Sequence, residues 1–235
     1  MNSPGTLFLL PTLLADEAGN EWLCQKELSL FDEITVWFTE NERSARRFLR
    51  KAGFNGDFDK LVMLRLDKDT PSAEIEIMLK YLLEGKDAAI LSEAGCPGIA
   101  DPGSSLVRGA QKKRIPVVAI PGPSAIVMTL MASGFNGQQF TFHGYLPVDS
   151  VQRIKRIREL ENLAKTTGYT QIFIETPYRN NGLFADILKV CQPETPICLG
   201  VNITLPDGYT KTMSARNWLK AIPELHKLPA VFAIG

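Results

Sequence analysis

Residues 92–103 read SEAGCPGIADPG, and this stretch decides how the rest of the chain is interpreted. It holds three glycines and two prolines in twelve residues, directly after an apolar run at 88–91 and before a predicted helix at 104–113. Glycine lets a backbone approach a ligand closely, and proline holds a loop in one shape. A plain β-to-α connection takes only about 2–6 residues. The stretch also lacks the spacings GxxxxGK[ST] and GxGxxG, so we predict a binding loop of another kind.

Short apolar runs alternate with helical patterns on both sides of this loop. Continuous apolar runs are typical of strands buried on both faces of a parallel sheet, so the first 120 residues predict a doubly wound α/β fold. The predicted strands are 6–11, 34–38, 61–66, 88–91 and 115–120, and the predicted helices are 39–53, 70–85 and 104–113.

Local signals predict where two of these helices begin and end. Thr39 followed by Glu42 has the spacing of a capping box, and Gly53 stands where that helix should stop. Pro71 is expected at the first helical position of the next helix, which Gly85 ends.

The segment Pro121-Gly122-Pro123 interrupts the pattern, so we expect one α/β domain over 1–120 and a second over 121–235. Ser124, at the end of this second loop, either caps the following helix or binds a ligand. In the second half the predicted strands are 139–144, 171–175, 197–204, 209–213 and 230–234, and the predicted helices are 124–133, 150–165, 180–190 and 216–222.

Composition excludes several classes of protein. The 26 basic and 26 acidic residues cancel, which argues against a strongly basic coat protein for nucleic acid. No apolar run approaches the roughly 20 residues of a membrane span, and no signal peptide is visible. The four cysteines form no CxxC pair and no metal spacing with the two histidines, so we expect a reducing cytoplasm and no metal site.

Two basic clusters are candidates for contact with a polyanion. Arg43, Arg46, Arg47 and Arg50 recur at helical spacing and form one stripe. Such a stripe is either a solvated face or a surface that takes several phosphates. The same alternatives apply to the second cluster, which comprises Arg153, Lys155, Arg156 and Arg158. His143 is interpreted as a hydrogen-bonded structural residue, with a role in proton transfer as the alternative.

The loop at 92–103, the IPGPSA turn at 120–125 and the FHGYLP segment at 142–147 occur together at a spacing that resembles the tetrapyrrole methylase superfamily. Within it, the sequence is most similar to the ribosomal small-subunit RNA 2′-O-methyltransferase I family. That family has a [ST][DE]AGTPxxxDPG loop, a PLPGPxA turn and a GFLP segment. The segment IFIETPYR at 172–179 adds a weaker match to a strand that ends in E[ST]PHR.

The resemblance implies a homodimer of two-domain subunits, each with S-adenosylmethionine in the cleft between a parallel sheet and a mixed sheet. In this loop Cys96 replaces the threonine or aspartate of the family. By position, the cofactor-binding residues implied are Leu10, Pro11, Gly95, Cys96, Pro97, Gly98, Ile99, Ser124, Ala125, Ile174, Glu175, Ile203, Pro229 and Ala230.

The motifs depart from the family on the acceptor side. The family segments TPIGN, EDTR and REL/IT become TLLAD at 12–16, ENER at 40–43 and VNIT at 201–204. Glu40 and Arg43 remain, and with Arg179 they are the predicted catalytic residues that place the acceptor. The acceptor predicted first is a ribose 2′-hydroxyl of ribosomal RNA. A small molecule such as a tetrapyrrole, and a cofactor-binding module without catalysis, are the alternatives.

Overall fold

The computed structural model describes residues 3–235, and of Glu27 the backbone alone. Its contacts divide the chain into two compact units, Met1–Ser124 and Ala125–Gly235. Each unit has a sheet covered by helices, and each is described by itself.

The first unit contains a parallel sheet in the order β3-β2-β4-β1-β5. Its strands are β1 (Leu7–Leu10), β2 (Val36–Thr39), β3 (Val62–Arg65), β4 (Ala88–Leu91) and β5 (Val117–Ala119). Its helices are α1 (Gln25–Leu30), α2 (Glu42–Ala52), α3 (Ser72–Leu83) and α4 (Ser104–Lys112). Strands β2 and β4 are buried along their whole length, as the continuous apolar run at 88–91 predicts for β4. The run at 115–120 predicts the same for β5, but β5 is only partly buried because it lies at the edge of the sheet.

The chain reverses its winding direction between β1 and β4. From β1 it crosses β4 to reach β2, whereas from β4 it crosses β1 to reach β5. This is the topological switch point of the sheet. The loops after β1 and β4 run in opposite directions there, so a crevice for a ligand opens between them.

The second unit contains a mixed sheet in the order β6-β7-β10-β8-β9. Only the β6–β7 pair is parallel among the described pairs of this sheet. Its strands are β6 (Phe140–Tyr145), β7 (Thr170–Ile174), β8 (Pro196–Val201), β9 (Tyr209–Ser214) and β10 (Ala230–Ile234). Its helices are α5 (Ala125–Ser133), α6 (Ser150–Thr167), α7 (Asn180–Val190) and α8 (Ala215–Trp218). The predicted fold class, a parallel and a mixed sheet in α/β units, is confirmed.

Three local predictions were wrong in detail. Thr39 is the buried last residue of β2, and Asn41 caps α2 instead: its Oδ1 accepts hydrogen bonds from the backbone N–H of Arg43 (2.9 Å) and Ser44 (3.3 Å). Pro71 is the N-cap of α3, one position before the first helical residue. The last predicted helix, 216–222, is reduced to the single turn α8. Gly53, by contrast, ends α2 with φ at +110°, as predicted.

The position of this cap can be tested by substitution. Asn41→Ala should lower the free energy of unfolding by about 1 kcal/mol, because two N–H groups at the start of α2 lose their acceptor. Thr39→Val should cost less, since Thr39 does not cap the helix. Urea denaturation of both variants measures the difference, and a larger loss at Thr39 would contradict the assignment.

Candidate active site

The carboxyl ends of the parallel strands meet at one edge of the first unit. In the register of the sheet Leu10 pairs with Leu91, and Leu91 pairs with Thr39. Residues that follow β1, β2 and β4 are therefore neighbours at this edge although they are far apart in the sequence.

The glycine- and proline-rich loop is joined to the end of β1. The backbone N–H of Thr12 donates to the carbonyl of Gly95 (2.8 Å), and the N–H of Gly95 donates back to the carbonyl of Thr12 (3.2 Å). The hydroxyl of Ser92 donates to the same carbonyl of Gly95 at 2.9 Å. Gly95 has φ at +77°, which favours glycine, and a Cβ there would lie 3.1 Å from Leu14 and 3.4 Å from the carbonyl oxygen of Pro123.

The next residues form a tight turn with an exposed tip. The N–H of Gly98 donates to the carbonyl of Pro102 (3.1 Å), and the N–H of Ile99 donates to that of Cys96 (3.2 Å). Pro97 is buried beneath the turn, whereas the side chain of Ile99 is 51% exposed. A half-exposed isoleucine on a fixed turn is an apolar surface that a ligand can cover.

The loop after β5 packs on the end of β1. A Cβ at Gly122 would fall 2.4 Å from the Cβ of Pro11, so only glycine fits there. The thiol of Cys96 lies 3.5 Å from the carbonyl oxygen of Pro123. The structure thus gathers the predicted residues of the first unit, from Leu10 to the loop that ends at Ser124, around the switch point. Ala125 follows as the first residue of α5.

Carboxyl groups from two strand ends gather beside this loop. Burial raises the pKa of Asp101 to about 7, with a further contribution from the charges of Glu40 and Glu93. Burial also raises the pKa of Glu40, again helped by Glu93 and by Asp67. In the sequence Glu93 and Asp101 flank the loop, where a hydrogen bond to the loop backbone and a general-base role are both open for one of them, but neither is among the predicted site residues.

The arginine stripe of α2 is largely engaged by its own unit. Arg46 pairs with Glu42 (2.6 Å), Arg47 pairs with Asp16 (2.9 Å), and Arg50 donates to the carbonyl of Phe54 (2.7 Å). Arg43 is exposed and makes no ion pair with any other residue in the range 3–235. Of the stripe, Arg43 is therefore the guanidinium best placed to meet a phosphate.

The remaining predicted residues lie in the second unit, at one edge of the mixed sheet. Because β10 is antiparallel to both neighbours, its start at Ala230 lies beside the ends of β7 and β8: Val231 pairs with Ile174, and Ala230 pairs with Val201. The N–H of Asn202 donates to the carbonyl of Pro229 (3.1 Å). This edge therefore gathers the predicted cofactor residues of the unit, which are Ile174, Glu175, Ile203, Pro229 and Ala230.

Glu175 and Arg179 form a partly buried ion pair at this edge. Oε1 of Glu175 accepts from Nη2 of Arg179 and from the N–H of Thr176, both at 2.6 Å. Burial alone would raise the pKa of Glu175, but these bonds outweigh it and the net pKa is lowered. Glu175 is 5% exposed, and its Oε2 has no hydrogen-bond partner within the described part of the chain. Arg179, predicted as catalytic, thus holds a predicted cofactor residue in place.

Two members of the second basic cluster, Arg153 and Arg156, are engaged by their own unit, whereas Lys155 and Arg158 are exposed. Arg153 pairs with Asp186 at 2.6 Å, and Nη2 of Arg156 donates to Nδ1 of His143 at 3.1 Å. His143 donates in turn from Nε2 to Gln171 (2.8 Å). Burial and the charge of Arg156 lower the pKa of His143, which keeps the ring neutral and supports its structural interpretation.

Residues 28–217 match the family model described as Tetrapyrrole (Corrin/Porphyrin) Methylases. The chain belongs to this family. A relative in Pasteurella multocida named "Ribosomal RNA small subunit methyltransferase I" is 32% identical over 86% of the chain and 68% of its own length. A relative of the same name in Halalkalibacterium halodurans is 33% identical over 92% of the chain and 71% of its own length.

Solved structures show the same methylase fold. The methyltransferase CobJ superposes with a TM-score of 0.62 over 100% of the chain and 94% of that protein, at 15% identity. Uroporphyrin-III C-methyltransferase from Thermus thermophilus, complexed with S-adenyl homocysteine, superposes with a TM-score of 0.59 over 98% of the chain and 97% of that protein, at 16% identity. The resemblance read from the motifs is confirmed, and the protein is an S-adenosylmethionine-dependent methyltransferase.

Two kinds of feature are absent from residues 3–235. No helix there is long and apolar enough to cross a membrane. No group of three or more His, Cys, Asp or Glu side chains there is arranged to hold a metal ion.

Proposed function

We propose that the protein transfers a methyl group from S-adenosylmethionine to a ribose 2′-hydroxyl of small-subunit ribosomal RNA. The observation that carries this proposal is the similarity to relatives named for small-subunit ribosomal RNA, which extends over 86% and 92% of the chain at 32% and 33% identity. The motif likeness to the 2′-O-methyltransferase I family supplies the acceptor atom.

The residues of the first unit fit a cofactor of this kind. The turn that follows Gly95 presents the half-exposed side chain of Ile99 as an apolar surface, and Gly122 lets the loop after β5 approach Pro11. We propose that the turn from Gly95 to Ile99, with Leu10, Pro11, Ser124 and Ala125, holds the cofactor. The cofactor supplies an activated methyl group, so the protein's task is to hold the acceptor in line with it.

The second unit contains a buried polar atom, Oε2 of Glu175, that lacks a hydrogen-bond partner among the described residues. An ionised carboxylate whose Oε2 is buried and unpartnered is costly, so a hydroxyl or amino group of a ligand would stabilise Glu175. We propose that Glu175, Ile174, Ile203, Pro229 and Ala230 also bind the cofactor and that Arg179 keeps Glu175 in position.

On the acceptor side we propose Glu40 and Arg43. Both line an open hollow with Asn41 and Arg65, at the end of β2. Arg43 is exposed and would contact a phosphate, which agrees with an acceptor that is a polyanion.

We further propose that the protein works in the cytoplasm as a homodimer. Support for dimerisation comes from large apolar side chains exposed in the second unit, among them Tyr145, Val148 and Val151. Sedimentation equilibrium tests it: a mass near 52 kDa supports the dimer, and the chain mass of 26.0 kDa at micromolar concentration contradicts it.

Transfer of a tritiated methyl group tests the function. Small ribosomal subunits from a strain without the gene should accept label, and alkaline hydrolysis should leave it in an uncleaved dinucleotide, because a 2′-O-methyl group blocks cleavage. Label found only in an organic extract would indicate a small-molecule acceptor. Cofactor binding without label in any fraction would indicate a binding module that has lost catalysis.

A further inference from the structure

A cavity of about 140 Å³ opens at the carboxyl edge of the parallel sheet, within the first unit. It lies between the segment after β1, helix α2 and the start of the glycine- and proline-rich loop. Thr12 lines it, and the backbone of Thr12 is hydrogen-bonded in both directions to Gly95. The cavity is therefore directly beside the loop that we propose to hold the cofactor.

The charged side chains that line this cavity balance one another. Two are cations, Arg47 and Lys51, and two are carboxylates, Asp16 and Glu93. Arg47 pairs with Asp16 at 2.9 Å, and Nζ of Lys51 donates to the backbone carbonyl of Ala18 at 2.6 Å. A phosphate would meet both carboxylates, and an ammonium group would meet both cations. The wall therefore favours a neutral occupant.

The polar groups of the wall have hydrogen-bonding capacity that the protein leaves unused. Thr12 is 3% exposed, and its Oγ1 has no hydrogen-bond partner among the residues described. The hydroxyl of Ser44 donates to Oε1 of Glu93 at 2.6 Å, which fixes the carboxylate at the wall and leaves its second oxygen available. A buried hydroxyl without a partner in a polar cavity points to a ligand group at this place. An ionised carboxylate only accepts, so the occupant must offer a donor.

The size of the cavity and its apolar part fit a flat ring. An enclosed cavity of about 150 Å³ is large enough to bind benzene, so the volume here accommodates an aromatic ring. Phe48 of α2, which is partly buried, lines it together with Leu13 and Ala45. A nucleobase is neutral, has apolar faces and carries hydrogen-bond donors and acceptors at its edge. Proteins that recognise RNA bind unstacked bases through such apolar and polar contacts.

We propose that this cavity binds the unstacked base of the nucleotide that is methylated, with Thr12 and Glu93 hydrogen-bonded to the edge of the base. This assignment rests on the proposed function. The base and the 2′-oxygen are attached to neighbouring carbons of one ribose, so a base bound here holds the acceptor oxygen near the loop that starts at Gly95. Thr12 and Glu93 thus position the acceptor, and holding it in line is the main requirement of the transfer.

Ala15→Leu tests whether the cavity must be empty for the RNA to react. Ala15 lines the cavity, and leucine fills part of it without removing a hydrogen-bonding group. The value of kcat/KM for small ribosomal subunits should fall by roughly tenfold or more, because the base is excluded. Affinity for S-adenosylhomocysteine should change less than threefold in calorimetry, and Tm should not fall. Ala73→Leu, at an exposed position of α3, is the matched control and should leave all three unchanged.

Thr12→Val separates binding of the RNA from folding. Valine keeps the shape of threonine and removes only a hydroxyl whose oxygen has no partner in the described part of the chain, so Tm should not fall. The value of kcat/KM for subunits should fall by roughly three- to tenfold, because one hydrogen bond to the base is lost. A loss of Tm without an effect on kcat/KM would show that the hydroxyl is structural and would contradict its role in binding.

A change in the RNA identifies the occupant. The alkali-stable dinucleotide locates the methylated nucleotide, and subunits are then reconstituted with RNA that lacks the base at this ribose. The wild type should methylate this RNA roughly tenfold more slowly or worse, and Ala15→Leu should slow the reaction no further, because the group that leucine displaces is already absent. Losses that add would show that another part of the RNA occupies the cavity and would overturn the assignment.

The remaining outcomes are distinct. If the wild type labels RNA and Ala15→Leu labels it with the same kcat/KM, the assignment is wrong and the proposed function stands. If Ala15→Leu or Thr12→Val loses affinity for S-adenosylhomocysteine, the cavity belongs to the cofactor site, which also overturns the assignment. If the wild type labels no RNA, the proposed function fails and the assignment falls with it.

Discussion

Replacing Gly95 by valine is expected to abolish binding of the cofactor. At φ of +77° a β-branched residue is strained by about 1–3 kcal/mol, and its Cβ would also meet Leu14 at 3.1 Å and the carbonyl oxygen of Pro123 at 3.4 Å. The loop must then shift, and with it the hydrogen bonds that join Gly95 to Thr12 and Ser92. Affinity for S-adenosylhomocysteine should fall by roughly 100-fold or more in calorimetry.

Gly137→Val is the matched control for this change. Gly137 has an ordinary φ, and a Cβ there would meet no atom within 4 Å, so the same substitution should leave both Tm and affinity unchanged. Circular dichroism of Gly95→Val should retain the signal of the folded protein. Unaltered binding in folded Gly95→Val would remove this loop from the cofactor site.

Removing the guanidinium of Arg179 is expected to give the largest loss of stability among the site variants. Arg179→Ala leaves the carboxylate of Glu175 buried without its charged partner. A buried unpaired charge destabilises the folded state far more than a buried ion pair does. At pH 7 the Tm should fall by roughly 5 °C, a moderate value because the side chain of Arg179 is 43% exposed. Thermal unfolding measures this directly.

The pH dependence identifies the cause. The folded pKa of Glu175 is lowered, so the ionised pair stabilises the protein above the unfolded pKa of about 4.3, and the stabilisation is lost as the pH falls through the folded value. The Tm difference between wild type and Arg179→Ala should therefore shrink below pH 4. The double variant Arg179→Ala/Glu175→Gln should recover most of the loss at pH 7. A difference independent of pH would show that Arg179 acts through packing alone.

Most of the fold was predictable from the sequence because the relevant signals are local. The apolar runs at 88–91 and 230–234 match β4 and β10 residue for residue, and Gly53 ends α2 as its type predicts. The helix start was misread because Thr39 and Asn41 both have capping side chains. Only the extension of β2 to Thr39, which buries that residue, leaves Asn41 as the cap.

The candidate site was predictable only in part. The loop motifs were sufficient to identify the family from the sequence. The structure then brings the predicted residues of each unit to one edge of its sheet. The partners of the charged side chains could not be predicted from the sequence. Arg46, Arg47 and Arg50 look like a phosphate-binding stripe in the sequence. Arg46 pairs with Glu42 of the same helix, whereas Arg47 and Arg50 have partners from outside the helix, Asp16 and Phe54.

The sequence by itself determined the alternation of strands and helices, the binding loop at 92–103 and the family, because propensity, glycine and proline chemistry and motif spacing act over short stretches. Only the tertiary structure decided which charges meet. Glu40, Glu93 and Asp101 become neighbours because β2 lies next to β4 in the sheet although β3 comes between them in the chain. Charges interact through space over several ångströms, so their pKa values depend on strand order, which no local pattern encodes.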